Sequence, residues 1–186
     1  MAAAHSSNAE KKIVRFDISS DTACPWCFLR WHPFQLDSNA PKEGIDKKEY
    51  YIRKFGSRSE QMATRMSEVF RNVGLEYSMS GLAGNTMDSH RLIYFVGQQG
   101  LDKQHALVEE LCLGYFTQGK YIGDQNFLLE CAAKVGVKGA DDFLKNPNNG
   151  LKGVEDELRT YSSNIGGVQY YVINGNHKLS DAQPTP

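Results

Sequence analysis

The stretch Ile13-Val14-Arg15-Phe16-Asp17-Ile18-Ser19, followed by Ser20-Asp21-Thr22-Ala23 and then by Cys24-Pro25-Trp26-Cys27, decides the fold. Its first seven residues are rich in apolar and β-branched side chains, which predicts a strand, and Cys24 follows a short polar turn. A cysteine that opens a helix behind a strand lies among unpaired N–H groups at the positive end of the helix dipole, and this position lowers the pKa of a thiol. The motif is therefore interpreted as redox-active, with Cys24 as the nucleophile and Cys27 as the resolving thiol.

The two residues between the cysteines suit this chemistry. Pro25 loses no needed hydrogen-bond donor at the first helical position and presets the backbone angle φ. Trp26 can cover the cysteine pair without adding a charge. We expect both side chains to contact the substrate.

A Cys-X-X-Cys motif can also form half of a zinc site, which is the main alternative to a redox role. Cys112 and Cys131 are 19 residues apart and form no second close pair. The histidines lack the tight ligand spacing of a structural zinc site; they are His5, His32, His90, His105 and His177. The sequence predicts no metal site.

Four segments carry a resemblance to a known family: Asp21-Thr22-Ala23-Cys24-Pro25-Trp26-Cys27-Phe28, Trp31-His32-Pro33-Phe34-Gln35-Leu36, Asn85-Thr86-Met87-Asp88-Ser89-His90-Arg91-Leu92-Ile93 and Gly119-Lys120-Tyr121-Ile122-Gly123-Asp124. From about Ile13 to Gln183 the chain resembles the DsbA-like thioredoxin-fold proteins of the FrnE type. These are grouped with the 2-hydroxychromene-2-carboxylate isomerases and are related to kappa-class glutathione transferases.

The resemblance implies an α/β fold in which a thioredoxin-like sheet carries an inserted α-helical domain. Residues 13–36 and 162–186 are expected to form the thioredoxin-like part, and residues 37–161 the helical insertion. Residues 1–12 are small and polar and are predicted to be a disordered lead-in.

The chain departs from the family in three places. Only Phe28 and Leu29 separate Cys27 from the next strand-like run, so most of the helix after the motif is lacking, and the thioredoxin part is predicted to be incomplete. The chain also stops before a terminal helix. In the family a cis-proline follows the position of Val168, and the backbone beside this proline pairs with substrate. In this chain the residue is Gln169. Since a cis bond before a non-proline residue costs about 2.5 to 4 kcal/mol, the Val168–Gln169 bond is predicted to be trans. Val168 and Gln169 are the remaining candidate substrate-binding residues.

Composition excludes some partners. Of 186 residues, 40% are hydrophobic and 23% charged, which is typical of a globular protein. Lys plus Arg is 21, Asp plus Glu is 22 and the net charge is −1, so no nucleic-acid or membrane partner is indicated. No signal-peptide core follows Met1, which favours a cytoplasmic location.

Between these segments the periodicity predicts one more strand at the sheet edge and a series of helices. Pro33 restricts the run Arg30–Leu36 to an edge or an end of the sheet. Ser57 and Glu60 resemble a capping box, before Met62, Met66, Val69 and Val73 at helical spacing. The two methionines are predicted to pack in the core. Asn85 or Thr86, Asp102 and Asp124 are expected to cap further helices, and Leu151 to Tyr161 gives a last one. Val168–Ile173, Asn174-Gly175 and the run to Leu179 predict a hairpin.

The function predicted from these features is that of a thiol–disulfide oxidoreductase acting on a disulfide-containing protein or a small thiol. No resident cofactor is expected, although glutathione can serve as a co-substrate. A glutathione-dependent isomerase or transferase is the first alternative, and a non-catalytic truncated variant is the second. Cys112 and Cys131 are interpreted as inert core thiols, and His90 as a structural histidine in preference to a proton shuttle.

Overall fold

The computed structural model describes residues 16–20, 30–168, 170–173 and 177–180. Its strands are β1 (Phe16–Ser20), β2 (Arg30–Pro33), β3 (Ile45–Asp46), β4 (Leu82–Ala83), β5 (Tyr170–Ile173) and β6 (His177–Ser180). Its helices are α1 (Lys47–Phe55), α2 (Arg58–Asn72), α3 (Met87–Gly97), α4 (Leu101–Thr117), α5 (Gln125–Lys134), α6 (Ala140–Lys145) and α7 (Leu151–Glu157), and a π-helical segment, Leu158–Ser162, follows α7. None of these described helices is long and apolar enough to cross a membrane.

The main sheet has four strands in the order β2-β1-β5-β6. β1 is parallel to β2 and antiparallel to β5, and β5 is antiparallel to β6. β2 lies at the edge and ends at Pro33, so the predicted effect of the proline is confirmed. The predicted hairpin is also confirmed by the β5–β6 pairing, whereas its Asn174-Gly175 turn lies outside the described residues, as does the lead-in 1–12.

The connection between the parallel strands β1 and β2 is short. β1 ends at Ser20 and β2 begins at Arg30, which leaves residues 21–29 to make the crossover. Parallel crossovers usually need about a dozen residues or more. The sheet thus has the parallel pair that the family resemblance implies, with a connection below the usual length.

The hydrophobic core lies mainly among α3, α4, α5 and α6, and β2 contributes Trp31 to it. Its buried members include Leu92, Ile93, Val96, Leu107, Val108, Leu111, Tyr115, Phe116, Phe127, Leu128, Cys131, Ala132 and Leu144. On α4 these residues recur at the three- and four-residue spacing that puts side chains on one helix face. The apolar faces predicted for these helices therefore pack against one another in the core.

Gln104 of α4 pairs with the outer edge of β2. Its Oε1 accepts a hydrogen bond from the Trp31 N–H at 3.2 Å, and its Nε2 donates to the Trp31 carbonyl at 3.3 Å. The same Nε2 lies 3.3 Å from the Ile93 carbonyl of α3. One buried carboxamide therefore satisfies a backbone donor and acceptor that an edge strand would otherwise leave unpaired.

The capping box predicted for α2 is wrong. Ser57 has helical backbone angles and makes no side-chain capping hydrogen bond. The chain arrives from a helix that the sequence analysis did not predict, α1, whose own cap is Asp46: its side chain accepts the Glu49 N–H at 3.0 Å. Because α1 runs almost directly into α2, Ser57 never takes the extended conformation in which a cap works.

One of the two methionines assigned to the core on α2 is at the surface. Met66 packs against the core, whereas Met62 is 37% exposed. The helix is anchored instead by Phe70, whose ring lies 5.4 Å from that of Tyr77 and 5.7 Å from that of Phe116. Periodicity identified a stripe correctly but not how much of it has a neighbour to pack against.

At the next helix starts, one predicted cap is confirmed and one is wrong. Asp124 caps α5 and accepts the Asn126 N–H at 2.9 Å. For α4 the cap position is Gly100, and Asp102 lies inside the first turn. A carboxylate there still interacts favourably with the helix dipole. For α3 the Asn85 side chain accepts the Met87 N–H at 2.9 Å.

Lys47 is wholly buried at the start of α1. Its Nζ donates to the Tyr115 carbonyl at 2.5 Å and lies 3.7 Å from the centre of the Tyr115 ring, and the Ser78 carbonyl is 3.4 Å away. The Tyr115 carbonyl is among the last four of α4, which have no partner within the helix. All these partners are neutral, so burial lowers the pKa of Lys47 to about 8.

We predict that Lys47→Met changes the pH dependence of stability. Between pH 8 and 10.5 the folded chain has lost the Lys47 proton while the unfolded chain still holds it, so the free energy of unfolding rises with pH. From pH 7 to pH 10 the free energy of unfolding of the wild-type protein should rise by about 2 kcal/mol relative to that of Lys47→Met. Urea unfolding of both proteins at both pH values measures this. Lys48→Met, at an exposed neighbour, should show no such change, and an equal difference at the two pH values would contradict the assignment.

Candidate functional site

The carboxyl ends of β1 and β2 meet the amino end of β5 at one edge of the sheet, which we call the motif edge. Ser20 is paired with Pro33 in the parallel ladder, and Ser19 is paired with Tyr170 in the antiparallel ladder. Neighbouring strands lie about 5 Å apart. The chain therefore leaves β1 toward the cysteine motif at the place where it also enters β5.

Most of the predicted site residues adjoin this edge in sequence and lie outside the described residues. They are Cys24, Pro25, Trp26, Cys27 and Gln169. Val168 is described: it is half-buried in a bend two residues before Tyr170. The strand register thus places the end of β1, which precedes the cysteine motif in the sequence, beside the start of β5, which follows Val168.

Two buried side chains hold the backbone where β2 ends. The Ser162 hydroxyl donates to the Pro33 carbonyl at 2.5 Å, and His90 Nε2 lies 3.1 Å from the Phe34 carbonyl. A carbonyl only accepts hydrogen bonds, so in this contact His90 Nε2 is the donor. His90 is 3% exposed, and its bond from α3 to the end of β2 is the structural role that the sequence analysis favoured.

Arg91, next to His90, is buried and fully engaged. Its Nε donates to the Asn149 carbonyl at 2.7 Å, and one terminal nitrogen donates to the Asn146 carbonyl at 2.5 Å. The other donates to Asp88 Oδ1 at 2.7 Å. These bonds fix the loop before α7 against the start of α3.

A second set of residues at this edge was not assigned by the sequence analysis. His32 of β2 is 2% exposed, and its Nδ1 lies 3.1 Å from Glu157 Oε2. Its ring stacks on that of Tyr161 with centroids 3.6 Å apart. Glu157 is 125 residues from His32 in sequence, and no local pattern links two such positions, although His32 belongs to a segment that carries the family resemblance.

A small cavity of about 60 Å³ lies beyond the end of β2. Its wall includes Leu36, which follows β2 by three residues, with Tyr50, Tyr51 and Phe55 of α1. The Tyr50 hydroxyl donates to Asp37 Oδ2 at 3.2 Å. The cavity is thus lined in part by aromatic rings, with the Asp37 carboxylate and the Lys54 ammonium group in its wall. It is smaller than a typical ligand pocket.

Cys112 and Cys131 lie on α4 and α5, among the core residues, and both are free thiols. Cys131 is fully buried, and burial raises the pKa of its thiol to about 12. A thiol in that state does not form the reactive thiolate at neutral pH. The prediction that Cys131 lies in the core is confirmed, and its inertness stays a prediction. In the described ranges, no three His, Cys, Asp or Glu side chains come together to hold a metal ion.

A mixed sheet of this order, with helices between β2 and β5 and a Cys-X-X-Cys segment directly after β1, defines a protein of the thioredoxin fold. The sequence matches the model of the DSBA-like thioredoxin domain over residues 15–186, and the chain belongs to this family.

The structure is similar to that of a probable DsbA oxidoreductase from Streptomyces coelicolor, with a TM-score of 0.81 and 23% sequence identity over 92% of this chain and 85% of that chain. At this identity the likeness concerns the fold. No curated protein matches the sequence.

We predict that Cys131 resists alkylation in the folded protein, because its sulfur is buried and protonated. With iodoacetamide at pH 7.5, peptide mass spectrometry should find Cys24 modified first and Cys131 unmodified. Alkylation in 6 M guanidinium is the control and should label all four cysteines. Modification of Cys131 before Cys24 under native conditions would contradict both the burial argument and the choice of nucleophile.

Proposed function

We propose that this protein is a thiol–disulfide oxidoreductase in which Cys24 attacks the substrate and Cys27 resolves the mixed disulfide. The observation that carries the proposal is the strand register at the motif edge: Ser19 is paired with Tyr170, so the chain segments before Cys24 and after Val168 are neighbours. Family membership supports the same chemistry.

The exchange has two steps. The Cys24 thiolate attacks one sulfur of a substrate disulfide, forming a mixed disulfide and releasing the other substrate sulfur as a thiolate. Cys27, once deprotonated, attacks Cys24 and releases the second substrate thiol. The substrate gains two electrons and the protein is left with a Cys24–Cys27 disulfide, which an external thiol such as glutathione reduces. Run in reverse, the same steps oxidise a dithiol.

The substrate class we propose is an extended polypeptide that contains a disulfide, or a small thiol. An extended chain can pair with the backbone at Val168, before β5, in the way that a strand is added to a sheet. The small cavity beyond the end of β2, with Leu36 and Tyr50 in its wall, could take an apolar side chain of that polypeptide. Pro25, Trp26 and Gln169 complete the proposed binding surface.

Cysteine variants test the proposal. Cys24→Ser should abolish insulin reduction, because no nucleophile remains. Cys27→Ser should accumulate a mixed disulfide with the substrate, since the resolving thiol is missing. Cys112→Ser, at a half-buried core thiol, is the matched control and should keep activity.

Glutathione conjugation is measured on the same preparations. Conjugation without insulin reduction would favour the isomerase or transferase alternative, and failure of both assays would favour a non-catalytic protein.

A further prediction concerns Gln169, which stands where the family has proline. We expect Gln169→Pro to raise the rate of disulfide exchange about 2- to 10-fold, because proline removes the freedom that a flexible side chain and backbone lose on binding substrate. Gln169→Ala, which removes the amide without adding a ring, should show a smaller change. Exchange on a mixed-disulfide peptide measures all three proteins. An unchanged rate in folded Gln169→Pro would show that the missing proline does not limit the reaction.

A further inference from the structure

The chain from Ser162 to Tyr170 crosses the motif edge between two fixed points. At its start the Ser162 hydroxyl, 8% exposed as a residue, donates to the Pro33 carbonyl of β2 at 2.5 Å. At its end Tyr170 enters the sheet beside Ser19 of β1. Val168 therefore lies on a short span held at both ends by the strands that form the motif edge.

The first fixed point is reinforced by the preceding turn. His32, one residue before Pro33, contacts the Glu157 carboxylate at 3.1 Å and stacks on Tyr161 at 3.6 Å. Both partners belong to the last turns of the helical segment that ends in Ser162. Three side-chain contacts thus attach the end of that segment to two consecutive residues of β2.

Between the fixed points lie two successive glycines, Gly166 and Gly167, and a Cβ built on either would meet no heavy atom within 4 Å. Glycine has the largest backbone freedom to lose on ordering. The contacts at the two ends of the span therefore limit where Val168 can lie.

We propose that Ser162, supported by the His32–Glu157 pair, is a positioning residue that holds the backbone at Val168 ready to pair with an extended substrate. This inference rests on the proposed function. Without the Ser162 hydrogen bond, the span would lose conformational entropy when substrate binds. Substrate affinity should therefore fall. The chemistry of the Cys24 thiolate should be unaffected, because none of these side chains is part of the exchange.

The test compares Ser162→Ala with Ser163→Ala. Ser163 is the neighbouring residue, and its hydroxyl donates to the Arg159 carbonyl at 2.6 Å within its own helical turn, so it is a control for removing a serine hydroxyl here. Reduced protein is mixed with excess peptide containing one disulfide and a fluorophore, and the rate is followed against peptide concentration. Alkylation of Cys24 by iodoacetamide is measured in parallel.

For Ser162→Ala we expect the half-saturating peptide concentration to rise about 2- to 10-fold, the effect of one buried hydrogen bond. The limiting rate and the alkylation rate should stay at wild-type values, as should every constant of Ser163→Ala. Ser162→Thr, which keeps the hydroxyl, should restore the half-saturating concentration. A role in stability alone would lower the amount of folded protein and leave that concentration unchanged.

A second pair keeps the test decisive if Ser162→Ala does not fold. Glu157→Ala removes the partner of His32, and Glu155→Ala, at an exposed residue, is its control; only the first should raise the half-saturating concentration. Equal values for each variant and its control, in an active wild-type protein, would overturn the inference and leave the proposed function standing. A wild-type protein that exchanges no disulfide would overturn both.

Discussion

The hydrogen bonds between the Gln104 carboxamide and the backbone of Trp31 connect the sheet to the helices. β2 pairs with β1 on one side only. Without another partner, the buried N–H and carbonyl of Trp31 on its other side would be unsatisfied, at a cost of about 1 to 3 kcal/mol for each group. Gln104 satisfies both and also contacts the Ile93 carbonyl. Because the glutamine belongs to α4, these hydrogen bonds fix β2 against the helical core. The motif edge, which β2 helps to form, is thereby held against the core as well.

Four buried polar side chains of this protein share one kind of partner. Lys47, His90, Arg91 and Ser162 each contact a backbone carbonyl at the end of a helix or strand, or in a loop. Carbonyls at such places have no partner in a regular ladder, and leaving them buried and unpaired is costly. These side chains come from distant parts of the sequence, and those of His90 and Ser162 also hold the end of β2 at the motif edge.

The elements with periodic patterns could be predicted from the sequence, and these contacts could not. The strands beside the cysteine motif, the stripes on α4 and α5 and the cap at Asp124 all follow from short-range spacing. Lys47 is a charged residue in a polar stretch, and its burial follows only from the packing of α1 against the end of α4. The His32–Glu157 pair joins residues 125 apart, and a single sequence contains no signal for it. The exposed Met62 shows the converse, since a helical stripe does not reveal where its neighbours end.

The crossover from β1 to β2 limits how the motif can be held. Asp17 is paired with Arg30, so the chain that leaves Ser20 must return by three residues, roughly 10 Å along the strands, and move sideways by about one strand spacing. An α-helix rising 1.5 Å per residue uses about seven residues for that distance. Residues 21–29 must also include the turn and the four residues of the motif, so little chain is left over. The connection that carries the motif therefore starts beside β5, where Ser19 is paired with Tyr170, and it returns to the sheet at Arg30, which is paired with Asp17.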